Sequence, residues 1–581
     1  MKVEFPLLIE DQLTTQMKGI EPVEYLREHR EDFFLAGPVT KRVAILNFDS
    51  ETGELSPGVP FQRPAKGEDV ARYAIKNQND LNSLDFNQVS VFATILKTMY
   101  MFEEADTLGR PLTWAFNGPQ LLVIPRAGEW ANAFYERETH SLQFFYFQPE
   151  TNPDKPVFTS LSHDIVCHES GHAILDGISP DLYNCISPQA LALHEAIADL
   201  TALAMALRSD SLRRAVLQQT GGDLKGRTAF SRVAEEFGRA RDPESESLRS
   251  LFNERTLDPK DESKDAFGKP NRVARYEPHD LSEVLSGAFY SVLVKIFESN
   301  KQKKDPAGKP RFDLDTAIWA AAERFKRMIF RALDYLPPGE VSFADYGRAI
   351  IASDQASHPD EKQQRQWICE EFVKRHMVSS EDALKVETNF AARELANIDL
   401  QTLADSDWAA YEFANNNRKF LGIPEGIHFR VRPRLDANKR YVRGVEQQDY
   451  VRELIFKVSW DYKEPNHLGQ FFPEERQITV GTTLAIDWQT KRVRAIVTSD
   501  FSERPSASKK QRKLDRQQQK ADRDLMLERL IDGGVLQLAD QAGGPDGKQL
   551  ASVVTAETMD NLMRIRGAAR MLHIIGGGNN G

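Results

Sequence analysis

What this chain has little of narrows it first. Three cysteines, Cys167, Cys185 and Cys369, in 581 residues are too few, and odd in number, for a disulfide framework. No stretch approaches the roughly 18 apolar residues of a membrane-spanning helix. The amino-terminal run carries Glu4 and Glu10 where a secretory signal would be apolar, so a cytoplasmic protein without a membrane span is expected. Basic charge is also short. Against 86 Asp and Glu stand 75 Lys and Arg, a net charge of -11 that suits phosphate backbones poorly, and no nucleic-acid partner is expected. No internal repeat stands out. The 41% hydrophobic and 28% charged content is that of an ordinary globular chain, long enough for two or three domains.

What is there centres on His168-Glu169-Ser170-Gly171-His172 and on Glu195, 23 residues after His172. Positions i and i+4 share a helix face, so both imidazoles can point at one spot. Two histidines and a carboxylate from a second helix make a three-ligand zinc site that leaves a fourth position for water. Zinc lowers the pKa of such a water, and Glu169, one residue round the helix, can take its proton during attack on a carbonyl. The competing reading is a polar helix face with two solvated histidines. Against it, Glu195 and Asp199 share a face of an otherwise apolar Ala/Leu-rich helix, where carboxylates without partners are costly.

The surroundings read as punctuated elements. Lys41 to Phe48, Leu121 to Pro125 and Ser141 to Phe147 are expected strands, the stretch 67–82 a loop, and Asn87 to Phe102 a buried helix. Ser160 or Ser162 can cap the motif helix, which Gly177 and Pro180 end. Ser187 with Pro188 opens the second helix, which runs to about Arg208. Asp313 to Leu336, Phe343 to Ile351 and Glu361 to His376 are further helices. Beyond residue 381 the texture turns to β: Tyr450 to Trp460, Gln477 to Ile486 and Arg492 to Thr498 suit a small antiparallel sheet. Ser506 to Asp532 reads as a charged helix, a solvated linker or a docking segment, and 576–581 as a flexible tail.

These motifs resemble the thermolysin-like zinc metallopeptidases, the gluzincins. His168 to His172 with Asp176 and Tyr183 is similar to that family's first helix and the tyrosine after it. His194-Glu195-Ala196-Ile197-Ala198-Asp199 resembles its second motif, in which the glutamate binds zinc and the aspartate orients a ligand histidine. Asn132-Ala133-Phe134-Tyr135 resembles the edge segment that hydrogen-bonds the substrate backbone. Arg249 in Ser247 to Ser250 resembles the arginine that holds a substrate carbonyl, and His279, nine residues before Ala288, the histidine that stabilises the oxyanion. The resemblance spans roughly 85–380.

The resemblance therefore implies an α+β, two-lobe, thermolysin-like peptidase, with a β-containing first lobe and a helical second lobe. It divides the chain into 1–84 as part of the first lobe, 85–380 as the peptidase domain, 381–505 as an extra β-containing domain and 506–581 as helix and tail. It implies a zinc-dependent endopeptidase acting on a peptide or protein substrate. His168, His172 and Glu195 bind zinc, Glu169 is general base, and Tyr183 and His279 stabilise the oxyanion. Asp176, His194 and Asp199 support the ligands, while Asn132, Ala133 and Arg249 align the peptide. The alternative is a metal-bearing binding or regulatory protein. The carboxy-terminal region is a possible docking surface for a partner.

Departures from the family pattern are specific. His194 stands where the family has Asn; it can orient His172 as a hydrogen-bond partner or compete for zinc. Ala274 stands where an aspartate would orient His279, leaving Glu277 or Asp280 as substitutes. Tyr183 to Glu195 is three residues longer than the pattern. Calcium carboxylates after the second helix are not evident, which argues against calcium dependence. His163 is expected at the surface, and Cys167 as a buried thiol.

Overall fold

The computed structural model describes residues 2–11, 14–15, 20–149, 152–241, 247–266, 268–386, 398–443, 447–469, 472–499, 509–538, 554–559, 562–570 and 572. The glycine-rich stretch 576–581 lies outside the described residues. The chain mixes helices with several sheets.

Four strands, β1 (Val43–Ile45), β2 (Leu121–Ile124), β3 (Ala133–Glu136) and β4 (Ser141–Phe144), form a sheet in the order β3-β4-β2-β1. β3 and β4 make an antiparallel hairpin, and β4, β2 and β1 run parallel. Val43, Leu121, Val123, Tyr135 and Leu142 face the core. β3 pairs on one side only among the described residues, so its other edge is open. Two expectations are corrected here. The strand expected over Ser141 to Phe147 breaks at Phe145 and resumes as Tyr146–Phe147, paired with Val157–Phe158. The stretch 67–82 contains a strand, Val70–Tyr73, because Ala71 and Tyr73 are buried inside an otherwise polar run.

Helix α1 (Leu84–Glu103) is buried on almost all sides and packs on α2 (His163–Ile178), the motif helix. The Ser162 hydroxyl accepts from Ile165 N and starts α2. Helix α3 (Pro188–Ala206) starts at Ser187, whose hydroxyl accepts from Ala190 N, and Pro188 takes the first position, where an N–H would have no helical partner. Glu340 accepts from Ile186 N at 2.8 Å and Ser187 N at 3.1 Å, placing a carboxylate at the positive end of α3. α2 and α3 approach closely at Gly171, where a Cβ would lie 3.0 Å from Ala198 Cα. That approach lets a side chain of α3 reach the two histidines of α2.

Helices α4 (Pro278–Gln302), α5 (Leu314–Arg331), α6 (Phe343–Ser357) and α7 (Lys362–Lys374) follow, with α4 packed on α3, α5 and α7. Glu277 caps α4 by accepting from Asp280 N, and Pro278 takes the first helical position, so His279 sits in a first helical turn.

The carboxy-terminal sheet is larger than the pattern predicts. Strands β5 (Phe429–Val431) and β6 (Leu435–Arg443) both pair with β7 (Gln447–Pro465), which runs antiparallel to β8 (Glu475–Asp487) along its length. β9 (Val493–Thr498) also pairs with β8. Helix α8 (Lys509–Asp532) follows, and then β10 (Leu536–Leu538), β11 (Val554–Met559) and β12 (Leu562–Ile565) extend the same sheet from β8. Among the described residues beyond 506, β10, β11 and β12 are thus not separate from this sheet. Nor is α8 a solvated linker: Arg523, Met526, Leu527 and Leu530 form a buried stripe at helical spacing, hidden in the sequence among charges. Arg523 donates to Glu464 at 2.8 Å.

This sheet packs directly on the helical part. Lys439 Nζ lies 2.8 Å from Asp334, which Arg110 also meets at 2.7 Å, and the Tyr335 hydroxyl donates to Glu453 at 2.9 Å. Lys439, Asp334 and Glu453 are fully buried, so each charge depends on partners from the other side of the contact. Glu340 N donates to Thr479 O, and Thr483 Oγ1 to Leu336 O.

Candidate metal centre

His168 and His172 leave α2 one turn apart and present their Nε2 atoms to each other at 3.1 Å. Glu195 of α3 completes the group, its carboxylate oxygens 3.7 Å from His168 Nε2 and 3.5 Å from His172 Nε2. All three side chains are buried, and one ligand atom from each lies within 4.8 Å of the others. The far nitrogens are spoken for. His168 Nδ1 lies 3.0 Å from Asp199, four residues after Glu195 on α3, and His172 Nδ1 lies 3.0 Å from His194 Nδ1. An Nδ1–H held by Asp199 leaves the Nε2 of His168 as a lone pair, and the same holds for His172 when its Nδ1 is the donor to His194. Two such lone pairs and a carboxylate converge on one buried point, and only a proton or a cation between them satisfies all three. The donor set, two imidazoles and one carboxylate, fits a divalent metal ion.

The electrostatics agree with that geometry. Burial lowers His172 below its ordinary value. For His168 burial acts the same way but is outweighed by the hydrogen bond to Asp199 and the charge of Glu195, which leave it raised. Burial opposes the charge on Glu195, yet Arg249 and His279 hold it well below the usual carboxylate range. Arg249 Nη1 lies 2.7 Å from Glu195 Oε2 and 3.1 Å from Asp199 Oδ1, bridging the two acids of α3.

Glu169 is buried beside the group, and burial pushes its carboxyl up to about 8, with the charge of Glu195 adding to the rise. Its Oε2 has no hydrogen-bond partner among the described residues. A buried acid with an uncommitted oxygen at a cluster of this kind is placed to exchange a proton.

The remaining expected residues fall at different distances. His279 Nε2 is 3.9 Å from Glu195, and its Nδ1 is 3.2 Å from Glu277, so Glu277 stands where an aspartate was missing from the sequence pattern. Asp280 turns instead toward Lys269, at 3.6 Å. Burial lowers His279, but Glu195 and Glu277 outweigh it and hold the imidazole above its ordinary value. Tyr183 is buried against β3: its hydroxyl donates to Glu138 and accepts from Arg137 N, both at 3.4 Å. Asp176 is engaged by the Tyr135 hydroxyl at 2.7 Å and by Arg137 Nε at 2.8 Å, so it ties α2 to β3. Asn132 accepts from its neighbour Ala133 N at 2.9 Å, just ahead of the open edge. His163 is a correction: it is buried, with the Cys167 sulfur 3.6 Å from its Nε2, because residue i+4 of α2 covers it. Cys167 is a buried thiol, as expected. Sequence reasoning missed the contact of Arg249 with Glu195 and the role of Arg137, for which no local signal exists.

No protein-family model matches the chain, and no curated protein matches it. Among solved structures it is similar to the precursor of protealysin, a metalloproteinase from Serratia proteamaculans, at 13% identity and a TM-score of 0.33, over 60% of this chain and 91% of that one. No single helix among the described residues is long and apolar enough to cross a membrane.

Proposed function

We propose that this protein is a zinc-dependent peptidase of thermolysin-like design. The observation that carries the proposal is the convergence of the His168 and His172 Nε2 atoms, 3.1 Å apart, with the Glu195 carboxylate at a buried point beside Glu169. A zinc ion held there would act as a Lewis acid toward a water and a carbonyl oxygen. Glu169, buried beside the group with an uncommitted Oε2, takes the proton of the attacking water and delivers it to the leaving amine. His279, held above its ordinary value and oriented by Glu277, donates to the developing oxyanion. Tyr183 joins it only if its hydroxyl leaves Glu138. Asp199 and His194 fix the tautomers of the two histidines. Arg249 and the segment from Asn132 to Ala133 align the peptide.

The test is metal content with activity. The purified protein is expected to carry one zinc per chain and to cleave peptides, to lose both on treatment with a chelator, and to regain both with zinc. A protein that binds no divalent metal overturns the proposal.

A further inference from the structure

The open edge of β3 is where an extended peptide can add as a strand. Glu169 lies near that edge, within reach of the backbone of Tyr135. Successive strand residues point to opposite faces. Tyr135 faces α2, with its hydroxyl on Asp176, whereas Glu136 faces away and accepts from Arg570 Nη2 at 2.9 Å. The segment that carries Arg570 also reaches the α2 side. Ala569 N donates to Tyr183 O at 3.0 Å, and Gly567 N to Asn184 Oδ1 at 2.8 Å. Tyr183 in turn packs on Tyr135, ring centroids 6.0 Å apart. Residues Gly567 to Arg570 therefore wrap the end of β3 from one face to the other. The fit is close: a Cβ on Gly567 would meet Glu138 Oε1 at 3.4 Å, and Ala568 and Ala569 are buried.

Distance along the strand decides what this wrap does. A strand rises about 3.3 Å per residue, so Glu136, the last residue of β3, lies one step beyond Tyr135, and the chain turns at 137–140, where Glu138 meets the segment. Resting on the peptidase reading above, we infer that the segment from Gly567 to Arg570 closes one end of the cleft and confines hydrolysis to bonds within about two residues of one terminus of the substrate. The substrates are short peptides or frayed chain ends, which narrows the endopeptidase expected from the sequence. Arg570 is the specificity-determining residue: its pair with Glu136 holds the segment across the strand end. Neither residue is placed in the chemistry.

The experiment measures binding without turnover. Two series of peptides carry a hydroxamate as a metal anchor at one terminus or the other, each lengthened residue by residue away from it. They are titrated against zinc-loaded Glu169→Gln full-length protein. One series is expected to gain affinity with length. The other should lose at least tenfold beyond about two residues. Arg570→Glu, which sets like charges against each other, should abolish that loss, and the exchange Glu136→Arg with Arg570→Glu should restore it. Equal tolerance of length in both series overturns the inference while leaving the peptidase reading intact, as does an unchanged length limit in Arg570→Glu. Failure of every peptide in both series to bind overturns the reading and the inference together.

Discussion

His172 and His194 meet through their Nδ1 atoms, 3.0 Å apart, with the two rings stacked at 25°. One nitrogen must donate and the other accept, so His194 sets which nitrogen of His172 is left for a metal. His194→Phe keeps the stacking and removes the partner. Metal affinity should fall about 10–100-fold, the usual effect of losing such a partner. His194→Asn, which restores an acceptor, should recover much of it. Competition titration with a chromophoric chelator reads both, and equal affinities in all three proteins would remove His194 from the site.

Gly171 sets the spacing between the helices that carry the ligands. Alanine there gains about 1 kcal/mol in helix propensity. Against that, its Cβ would press on Ala198 Cα, part of the backbone of α3, at 3.0 Å. Overpacking of this kind costs about 1–3 kcal/mol, so Gly171→Ala should be net destabilised. Chemical denaturation checks the sign. A stabilised variant would mean that α2 and α3 are not held at this distance.

Lys439 tests whether the carboxy-terminal sheet belongs to the same cooperative unit as the metal centre. It is fully buried between Asp334 of the helical part and Glu453 of β7. Lys439→Ala leaves both carboxylates short of a cation, a loss of about 3–5 kcal/mol. Unfolding followed by tryptophan fluorescence and by metal release should then shift together. Metal release unchanged while fluorescence shifts would make the sheet an independent domain.

A separate pH dependence is built in near the start of α2. Asp11 is buried, and burial, then the charges of Asp164 and Glu236, push its carboxyl up to about 8. A carboxyl raised above its unfolded value of about 3.9 stabilises the fold when protonated. That stability is present below about pH 3.9 and is lost as the pH rises toward 8, by at most about 1.4 kcal/mol per pH unit. Asp11→Asn cannot ionise, so its advantage over the native chain in thermal denaturation should grow from pH 5 to pH 8. A constant difference would show that Asp11 is not held in its neutral form.

How far these features were legible depends on whether they are local. His168, Glu169 and His172 lie within one turn and a half of helix, so their spacing alone fixes their common face. Glu195 was legible because two carboxylates in an Ala/Leu-rich helix call for partners. The caps at Ser162 and Ser187 were equally plain. What escaped was non-local. Glu277 and Asp280 flank His279 at similar separation, and only the turn of α4 selects Glu277. Arg249 reaches Glu195 from 54 positions away along the chain, counted as 249 less 195. Lys439 sits between Asn438 and Arg440 in a run that reads as surface, and it is buried because a second element supplies Asp334. The stripe of α8 was masked by the charges on its other faces.

The most direct measurement compares the native chain with Glu169→Gln for zinc by mass spectrometry and for cleavage of a peptide library. Glu169 is not needed to hold metal, because His168, His172 and Glu195 supply the ligand atoms. In the proposed mechanism its task is to move the proton. Equal zinc is expected in both proteins, with cleavage by the native chain and cleavage reduced to background in the variant. Equal cleavage by both proteins, or a zinc-loaded native chain that cleaves nothing, would contradict the proposed mechanism.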